Sequence, residues 1–490
     1  MLGSWRLDVR SAGGLGMAVA VVACGPTAAG PSNTGSAAGG DASATEPTST
    51  AGTEATAGSG ASFGTTDPCR DDPCCGDPCC SGAGGDGVRC SPPPECETNA
   101  DCPDGFYCAA GNGCLPAPTA SGCPWEGETY SERLVLEPTF GWSVTPTITA
   151  LGPGRVAAFH PDPPGGAITN PTVRIWSIST DPPEATFVKH VIVAPDTKWV
   201  VGGDFDGDGI ADLVTGQSAP VPGLRFFRGE ADGGFTPSDA VFTVDDLAMR
   251  YARFVGIVAD LVPAHPGEEL FFGVSDEPVR AVFQVTDGVL QAAWTADDGV
   301  RLGTSAAIGP IDRGAGGVHL VYPTADADAF AAHAYGVGGV FEPTSVPLTD
   351  DYDGEGRRTV ASVTLSNGED AVARGWTIHG VPAISFFDGP AEPVAIADEP
   401  VDGNFGLVGL DAVGGRPARI AVFANGHLPL TLVVPNPVPS PRVRCVERTF
   451  PDLRYVESAM AVDADGDGID SDLLIVRDAG SHYELVLLLR

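Results

Sequence analysis

The stretch Asp204-Phe205-Asp206-Gly207-Asp208-Gly209-Ile210-Ala211-Asp212 places four carboxylates at intervals of two and four residues around two glycines. Calcium takes about six to eight oxygen ligands in a flexible geometry, and acids at this spacing converge when the backbone turns tightly. Glycine allows such a turn because it has no Cβ. The stretch is therefore predicted to bind calcium through the carboxylates of Asp204, Asp206, Asp208 and Asp212 and the carbonyl of Ile210.

The residues beside this loop predict strands rather than helices. Residues 199–203 before the loop and 213–216 after it are short β-prone runs with glycine punctuation and no helical period. An EF-hand loop would need flanking helices and an acid at its twelfth position, where this chain has Thr215. We therefore expect the loop to join two strands.

The pattern returns at residues 463–472, again between two short apolar runs. The position equivalent to Asp212 holds Ser471, so the fifth ligand must come from Asp470 or Asp472 through a one-residue shift. The predicted ligands of this second site are Asp463, Asp465, Asp467, Ile469 and Asp472. The chain thus repeats one unit of strand, loop and strand.

The spacing of the two copies predicts the architecture. Asp463 follows Asp204 by 259 residues, which is five steps of about 52 residues, a length that suits one four-stranded propeller blade. Weaker echoes of the flanking strands occur near each intermediate step, at residues 256–273, 306–312, 360–363 and 407–411. The sequence therefore predicts an all-β, seven-bladed β-propeller, with six or eight blades as alternatives.

The last predicted blade is one strand short of four, because the chain given ends after the third run, at residues 483–489. Residues 132–137 form a β-prone run near the start of the domain and are predicted to supply the missing strand. Such closure would remove the exposed sheet edges at both ends of the ring.

The stretch 204–216 resembles the FG-GAP repeats of integrin-type β-propellers, also known in bacteria as VCBS repeats. The resemblance covers roughly residues 125–490. It implies that each calcium loop lies between the first two strands of its blade, and that the domain serves adhesion or ligand binding more often than catalysis. Only the two loops described above are acidic loops of full strength; in the other blades acids are missing.

The N-terminus is typical of an exported lipoprotein. Two arginines precede an apolar run at residues 15–23, which is too short to span a bilayer but suits a signal-peptide core. Val21-Val22-Ala23-Cys24 resembles a bacterial lipobox, so residues 1–24 are predicted to be a lipoprotein signal with Cys24 lipidated; a plain signal peptide is the alternative. Gly25 favours the outer membrane.

Cysteine usage predicts an oxidising compartment. Of 13 cysteines, 11 lie between Cys69 and Cys123, so residues 67–122 are predicted to form a small disulfide-rich module. Its spacing resembles Cys-rich modules in surface proteins of myxobacteria, and zinc binding is the rival interpretation for its first five cysteines. If Cys24 is lipidated and the ten cysteines before Cys123 pair among themselves, Cys123 and Cys445 remain to form a disulfide.

Residues 25–66 are nearly all Gly, Ala, Ser, Thr and Pro with a few acids. Such a segment cannot bury enough apolar surface to offset the entropy of ordering, so it is predicted to be a disordered linker. The predicted order is therefore signal peptide 1–24, linker 25–66, Cys-rich module 67–122 and propeller 123–490.

Composition limits the possible partners. The chain has 64 acidic and 27 basic residues, a net charge of −37. Nucleic acid is a poor candidate because its binding requires basic residues that neutralise phosphates. An acidic surface instead concentrates divalent cations.

No catalytic residue is predicted, because the one GxSxG match, at residues 60–64, falls in the linker, away from any nucleophile elbow. The chain is therefore expected to be a monomeric, non-enzymatic cell-surface lipoprotein that touches the membrane only through its lipid. Its calcium-stabilised propeller would bind a protein or glycan ligand. The alternative is an extracellular polysaccharide-active lyase or hydrolase on the same scaffold.

Overall fold

A computed structural model describes the following residues. They are 19–22, 106–109, 113–116, 120, 122–123, 130, 132–140, 146–159, 171–217, 223–243, 254–262, 264–274, 280–296, 300–303, 305–310, 319–324, 330–335, 341–343, 358–378, 381–388, 393–397, 401, 405–412, 416–437 and 440–490. Within these ranges the regular structure consists of β-strands.

Four strands precede the first blade. They are β1 (Val19–Val22), β2 (Phe106–Ala109), β3 (Gly113–Pro116) and β4 (Glu132–Phe140). Strands β2 and β3 form an antiparallel hairpin in which Cys108 lies opposite Cys114. The other residues of the predicted Cys-rich module up to 119, the linker 25–66 and Cys24 lie outside the described ranges, so the domain boundaries stay predictions.

The first three blades are antiparallel sheets whose strands follow in chain order from the inner to the outer edge. Blade 1 contains β5 (Thr147–Ala150), β6 (Arg155–Phe159), β7 (Thr172–Thr180) and β8 (Pro183–Ile192). Blade 2 contains β9 (Thr197–Gly203), β10 (Asp212–Gln217), β11 (Gly223–Gly229) and β12 (Phe235–Thr243). Blade 3 contains β13 (Phe254–Ala259), β14 (Glu269–Val274), β15 (Arg280–Thr286) and β16 (Val289–Thr295).

The next three blades repeat this order. Blade 4 contains β17 (Ala307–Gly309), β18 (His319–Pro323), β19 (Phe330–Tyr335) and β20 (Phe341–Pro343). Blade 5 contains β21 (Thr359–Thr364), β22 (Asp370–Ile378), β23 (Val381–Phe386) and β24 (Val394–Ala395). Blade 6 contains β25 (Phe405–Leu410), β26 (Arg419–Ala424), β27 (Leu430–Asn436) and β28 (Arg442–Phe450).

Blade 7 combines the two ends of the domain. Its strands β29 (Val456–Val462), β30 (Asp472–Asp478) and β31 (Tyr483–Leu489) are completed by β4, which pairs antiparallel with β31. Leu134 lies opposite Leu487 in this register. The seven-bladed propeller and its closure by residues 132–137 are therefore confirmed.

An apolar core fills the space between each successive pair of blades, which gives seven cores around the ring. Between blades 2 and 3, for example, Trp199, Phe205 and Phe272 are buried. Because a blade packs against a neighbour on each face, its inner strands must be apolar on both sides. This explains why the middle strands are continuous apolar runs instead of alternating ones.

Hydroxyl groups connect the innermost strands of neighbouring blades. Thr149 Oγ1 accepts a hydrogen bond from the N–H of Gly202 (2.6 Å), and Ser362 Oγ accepts one from Ile308 (2.8 Å). These N–H groups face the channel edge, where no further strand of the blade can pair with them. A Cβ on Gly202 would lie 2.4 Å from the carbonyl oxygen of Ala150, so glycine is required for this approach.

Strand β1, which forms part of the predicted signal-peptide core, pairs antiparallel with β13 on its channel edge in the unprocessed chain. Its register places Val19 opposite Val258 and Val22 opposite Val255. Removal of the signal peptide would therefore leave the four-stranded sheet of blade 3 without this addition.

A disulfide joins Cys123 to Cys445, the pairing expected from the cysteine count. The N–H of Cys123 also donates to the carbonyl of Val446 (2.9 Å), and that of Ala120 donates to Ala395 (3.0 Å). The segment before β4 is therefore attached to the outer strands of blades 5 and 6 on its way to blade 7.

We predict that replacing Cys123 by Ser and Cys445 by Ala together lowers the melting temperature. The disulfide links residues 322 positions apart, and a cross-link over so long a loop stabilises by on the order of 5 kcal/mol in the chain-entropy model. Calorimetry of the variant and of the oxidised wild type measures the effect. A free thiol at either position in a non-reduced peptide map of the wild type would contradict the assignment.

Candidate metal centres

The first predicted calcium loop lies between the two innermost strands of blade 2, β9 and β10. Asp204, Asp206 and Asp208 each place a carboxylate oxygen within 4.8 Å of the other two. Gly207 and Gly209 have φ values of 72° and 82°, in the left-handed region that favours glycine. The turn therefore brings three potential ligands to one point.

Backbone hydrogen bonds explain the two-residue spacing of these acids. Asp206 Oδ1 accepts a hydrogen bond from the N–H of Asp208 (3.2 Å), and Asp208 Oδ1 accepts one from Ile210 (2.9 Å). Asp204 Oδ2 accepts one from Gly209 (2.9 Å). An acid that binds the N–H group two residues later makes an Asx turn, so alternate acids wrap the chain around the group they form.

The loop of blade 7, between β29 and β30, repeats this geometry. Asp463, Asp465 and Asp467 form a second group of three carboxylates within 4.8 Å of one another. Asp465 accepts a hydrogen bond from the N–H of Asp467 (3.1 Å), Asp467 from Ile469 (2.9 Å), and Asp463 from Gly468 (3.0 Å). The two loops therefore match residue by residue as far as the isoleucine.

The fourth acid of the first loop, Asp212, lies outside the group of three carboxylates. Asp212 Oδ2 accepts hydrogen bonds from the N–H groups of Phe205 (3.1 Å) and Asp206 (3.3 Å), while Oδ1 accepts one from Gly229 on β11 (2.7 Å). Burial raises the pKa of Asp212 to about 7. Its carboxylate thus connects the loop to the third strand, and calcium ligation by Asp212 stays a prediction.

Asp472 occupies the equivalent position in blade 7. Its Oδ2 accepts a hydrogen bond from the N–H of Ala464 (3.1 Å) and its Oδ1 accepts one from Arg490, just after β31 (2.7 Å). Burial also raises its pKa to about 7. The extra residue relative to the first loop is therefore accommodated before Asp472.

The carboxylates have features that suit a hard cation. Asp204 Oδ1 is buried and has no hydrogen-bond partner among the described residues. Burial is the largest cause that raises the pKa of Asp204, and it likewise raises the pKa values of Asp463 and Asp467. A calcium ion would stabilise the ionised form of such carboxylates, and oxygen ligands are those it prefers.

Arg228 distinguishes the two loops. Its guanidinium nitrogens lie 2.9 Å from Asp206 Oδ2 and 2.8 Å from Asp208 Oδ2, and the hydrogen bond from Arg228 lowers the pKa of Asp208. The pKa of Asp467, the equivalent acid in blade 7, is raised instead. At the position of Arg228, blade 7 has Leu489. Sequence reasoning missed this cation because it lies 20 residues beyond Asp208, on β11.

Blade 3 has the equivalent loop without the alternating acids. Glu269 begins β14 as Asp212 begins β10, and its Oε2 accepts hydrogen bonds from the N–H groups of Leu261 (2.7 Å) and Val262 (2.8 Å). Its Oε1 lies 2.8 Å from His265 Nδ1. Burial raises the pKa of Glu269 to about 7. In blade 3, His265 therefore contacts the carboxylate of Glu269, and backbone N–H groups of the loop still bind that carboxylate.

The loop of blade 2 is in direct contact with that of blade 3. Glu268 Oε2 accepts a hydrogen bond from the N–H of Asp204 (2.8 Å), and the N–H of Glu268 donates to the carbonyl of Asp204 (2.8 Å). A Cβ on Gly207 would lie 2.7 Å from the carbonyl of Pro266. The first loop can therefore close only with glycine at this position.

Three acids that sequence reasoning did not connect, one buried and two half-buried, lie on the same face of the ring, in loops between first and second strands. They are Asp470, Asp411 and Glu268. Burial raises the pKa of Asp470 to about 8, and the charges of Asp411, Asp463 and Glu268 contribute to the rise. Burial also raises the pKa values of Asp411 and Glu268. These acids come from three blades and follow no common sequence pattern, so the sequence alone did not group them.

Among the described residues, no helix has the length and apolar character needed to cross a membrane. Comparison with known proteins identified no matching family model and no matching curated protein.

Solved structures with a similar arrangement include a protein from Lactobacillus plantarum, with 13% identity, a TM-score of 0.39 and coverage of 65% of this chain and 97% of that one. Chaetomium thermophilum Sqt1, bound to the N-terminus of ribosomal protein L10, matches with 13% identity, a TM-score of 0.41 and coverage of 70% and 83%. BBS1N in complex with ARL6DN matches with 11% identity, a TM-score of 0.41 and coverage of 70% and 93%. Likenesses of this strength carry no argument about function.

We predict that Gly207→Ala destabilises the protein more than Gly466→Ala. The φ values of Gly207 and Gly466 are 72° and 77°, both in the left-handed region. An alanine at either position therefore costs roughly 1–2 kcal/mol in backbone strain. At Gly207 the new Cβ also meets the backbone of Pro266 at 2.7 Å, whereas at Gly466 the nearest atom is 3.8 Å away. This overpacking should lower the free energy of unfolding, measured by urea denaturation, by a further amount of about 1–3 kcal/mol. Equal losses for the two variants would contradict the close contact.

We predict that Arg228→Leu, which copies Leu489 of blade 7, increases calcium affinity at the first loop by a few-fold. The guanidinium and a calcium ion would compete for Asp206 and Asp208, and exposed ion pairs are weak enough to be displaced. Titration calorimetry in an Asp465→Asn background isolates the first loop. Unchanged affinity would mean that Arg228 does not compete with the ion.

Proposed function

We propose that this chain is a lipid-anchored cell-surface protein of the FG-GAP or VCBS type, whose propeller is stabilised by calcium and binds a protein or glycan ligand. The observation that carries the proposal is the pair of matching three-carboxylate groups, at Asp204 in blade 2 and Asp463 in blade 7. Both lie between the first two strands of their blades, as the resemblance implies.

Calcium has a structural role in this proposal. Asp204, Asp206 and Asp208 would supply ligands in the first loop, with Asp463, Asp465 and Asp467 in the second. Each loop touches the adjacent blade: the carbonyl of Asp463 accepts a hydrogen bond from the N–H of Gly154 in blade 1 (2.8 Å). An ion that neutralises the loop would therefore strengthen the contact between blades, and binding to the native state alone raises its stability.

The exported location rests on sequence features. The lipobox-like run ending at Cys24 would attach the chain to the membrane, and the linker 25–66 would separate the propeller from it. A flexible linker of this length has a root-mean-square reach of roughly 35 Å, enough to clear lipid headgroups. The disulfide between Cys123 and Cys445 agrees with an oxidising environment.

We predict that calcium raises the melting temperature and that Asp206→Asn and Asp465→Asn each remove one bound ion. At a calcium concentration 100 times the dissociation constant, each site should stabilise the protein by about 2.7 kcal/mol. Calorimetric titration gives the stoichiometry, and scanning calorimetry with calcium or excess chelator gives the stability. The control is Asp196→Asn, which removes the same charge from an exposed loop between β8 and β9.

Identical melting curves with calcium and with chelator would refute the calcium part of the proposal. Loss of binding in the Asp196→Asn control would instead point to general attraction by the acidic surface. If calcium binds as expected, screening the calcium-loaded protein on glycan arrays and against surface-protein extracts tests the ligand part.

A further inference from the structure

Strand β8 forms the outer edge of blade 1, and one side of it is unpaired. At 10 residues it is the longest strand of the described ranges, and within them it pairs with β7 alone. The outer strands of blades 5 and 6 differ, because the N–H groups of Ala120 and Cys123 bind to them. An unpaired strand edge presents N–H and C=O groups that can pair with another strand. Strand β8 therefore offers a place where a strand could be added.

The side chains of β8 make this edge apolar. Six large apolar side chains are strongly exposed among the described residues, and three of them lie on β8: Phe187 (46%), Val188 (44%) and Ile192 (64%). Single exposed apolar residues are ordinary, but a group of them on one strand indicates an interaction surface. The ring of Phe187 is held by Trp176 and His190, with ring centroids 6.3 Å and 4.7 Å away. The surface is therefore preformed.

The pairing of β8 with β7 shows which of its side chains share a face of the sheet. The register shifts at Val188, which is the extra residue of a β-bulge. Alternate residues of a strand point to one face, and an extra residue changes the count by one. Glu184, Thr186 and Lys189 therefore share one face, and Phe187 points to the other.

Glu184 and Lys189 give this edge one charge of each sign. Lys189 is one of only two lysines in the chain, the other being Lys198. Neither Glu184 nor Lys189 forms a hydrogen bond or an ion pair with another described residue. Two copies of a chain with a net charge of −37 repel each other. They can therefore approach closely only where the charge is locally balanced, as it is on β8.

A two-fold interface must be complementary to itself, because the same patch of each copy forms both halves. Glu184 and Lys189 lie two alternating positions to either side of Thr186 once the bulge is counted. An antiparallel copy of β8 that is centred on Thr186 therefore brings each acid opposite a lysine. In the same register Phe187 lies diagonally across from its own copy, within reach of aromatic contact.

We propose that two copies of this chain associate through β8, antiparallel around a two-fold axis beside Thr186. Two ion pairs between Glu184 and Lys189 and the contact between the Phe187 rings hold the copies together. The four strands of blade 1 in each copy then form one continuous sheet. Such a dimer replaces the monomer expected from the sequence.

Carbodiimide cross-linking of the full-length chain tests the contact, because the reagent joins a lysine amine to a carboxylate that it touches. Light and isotope-labelled chains are mixed and cross-linked, and their peptides are identified by mass spectrometry. We expect cross-links from Lys189 to Glu184 that join a light to a labelled peptide. Lys189→Arg keeps the charge without a reactive amine, so it should lose the cross-link and still dimerise. Lys198→Arg is the matched control and should change neither result.

Charge reversal measures the same contact by sedimentation velocity. Glu184→Lys and Lys189→Glu each place two pairs of like charges in the interface, so each should weaken the dimer by about ten-fold or more. The double variant restores opposite charges and should recover most of the affinity. Neither measurement involves calcium or a ligand, so the outcome is independent of the calcium proposal.

A chain that stays monomeric at every concentration would overturn the proposal and leave β8 to a strand of another protein. A double variant as weak as the single variants would also overturn it, because the charges would then not face each other. Copies held together only by lipids in a shared micelle would give neither the cross-link between Lys189 and Glu184 nor the recovery in the double variant, and would equally contradict it.

Discussion

The antiparallel pairing of β4 with β31 is the interaction on which the rest of the ring depends, because it joins the two ends of the domain in one sheet. It also places the second acidic loop, residues 463–472, in the blade where the two ends of the domain join. The N–H of Arg490, directly after β31, binds Asp472, and the hydroxyl of Tyr130, just before β4, donates to the carbonyl of Ser471 (2.8 Å). Closure of the ring and formation of this loop therefore support each other.

The first residue of the second strand is charged in several blades, and its charge is compensated by different partners in each. The first residue of the second strand is Asp212 in blade 2 and Asp472 in blade 7, where backbone N–H groups bind the carboxylate. Blade 3 has Glu269, beside His265. In blade 6 the residue is Arg419, whose guanidinium forms a buried, bidentate ion pair with Glu447 on β28. Each solution satisfies the requirement that buried charges be paired or hydrogen-bonded.

Several acids of the described residues lie in loops on one face of the ring. Acids from the loops of blades 2, 3, 6 and 7 gather on one face, where neighbouring loops bind each other through backbone groups. The hydrogen bonds between Asp204 and Glu268 and between Thr364 and Asp411 are two examples of the same contact. Such a face raises the local concentration of divalent cations, which links the proposed calcium role to the architecture.

The sequence by itself determined the features that depend on local geometry or on counting. Alternate acids with glycines define the two loops because Asx turns and positive φ values are local, and the cysteine count selected Cys123 and Cys445. Periodicity near 52 residues predicted the blades and the closing strand. Only the tertiary structure bound the carboxylate of Asp472 to the N–H groups of Ala464 and Arg490 and placed Arg228 beside the first loop. These contacts join different strands and blades, so they depend on sheet register and ring closure, which residue spacing along the chain does not encode.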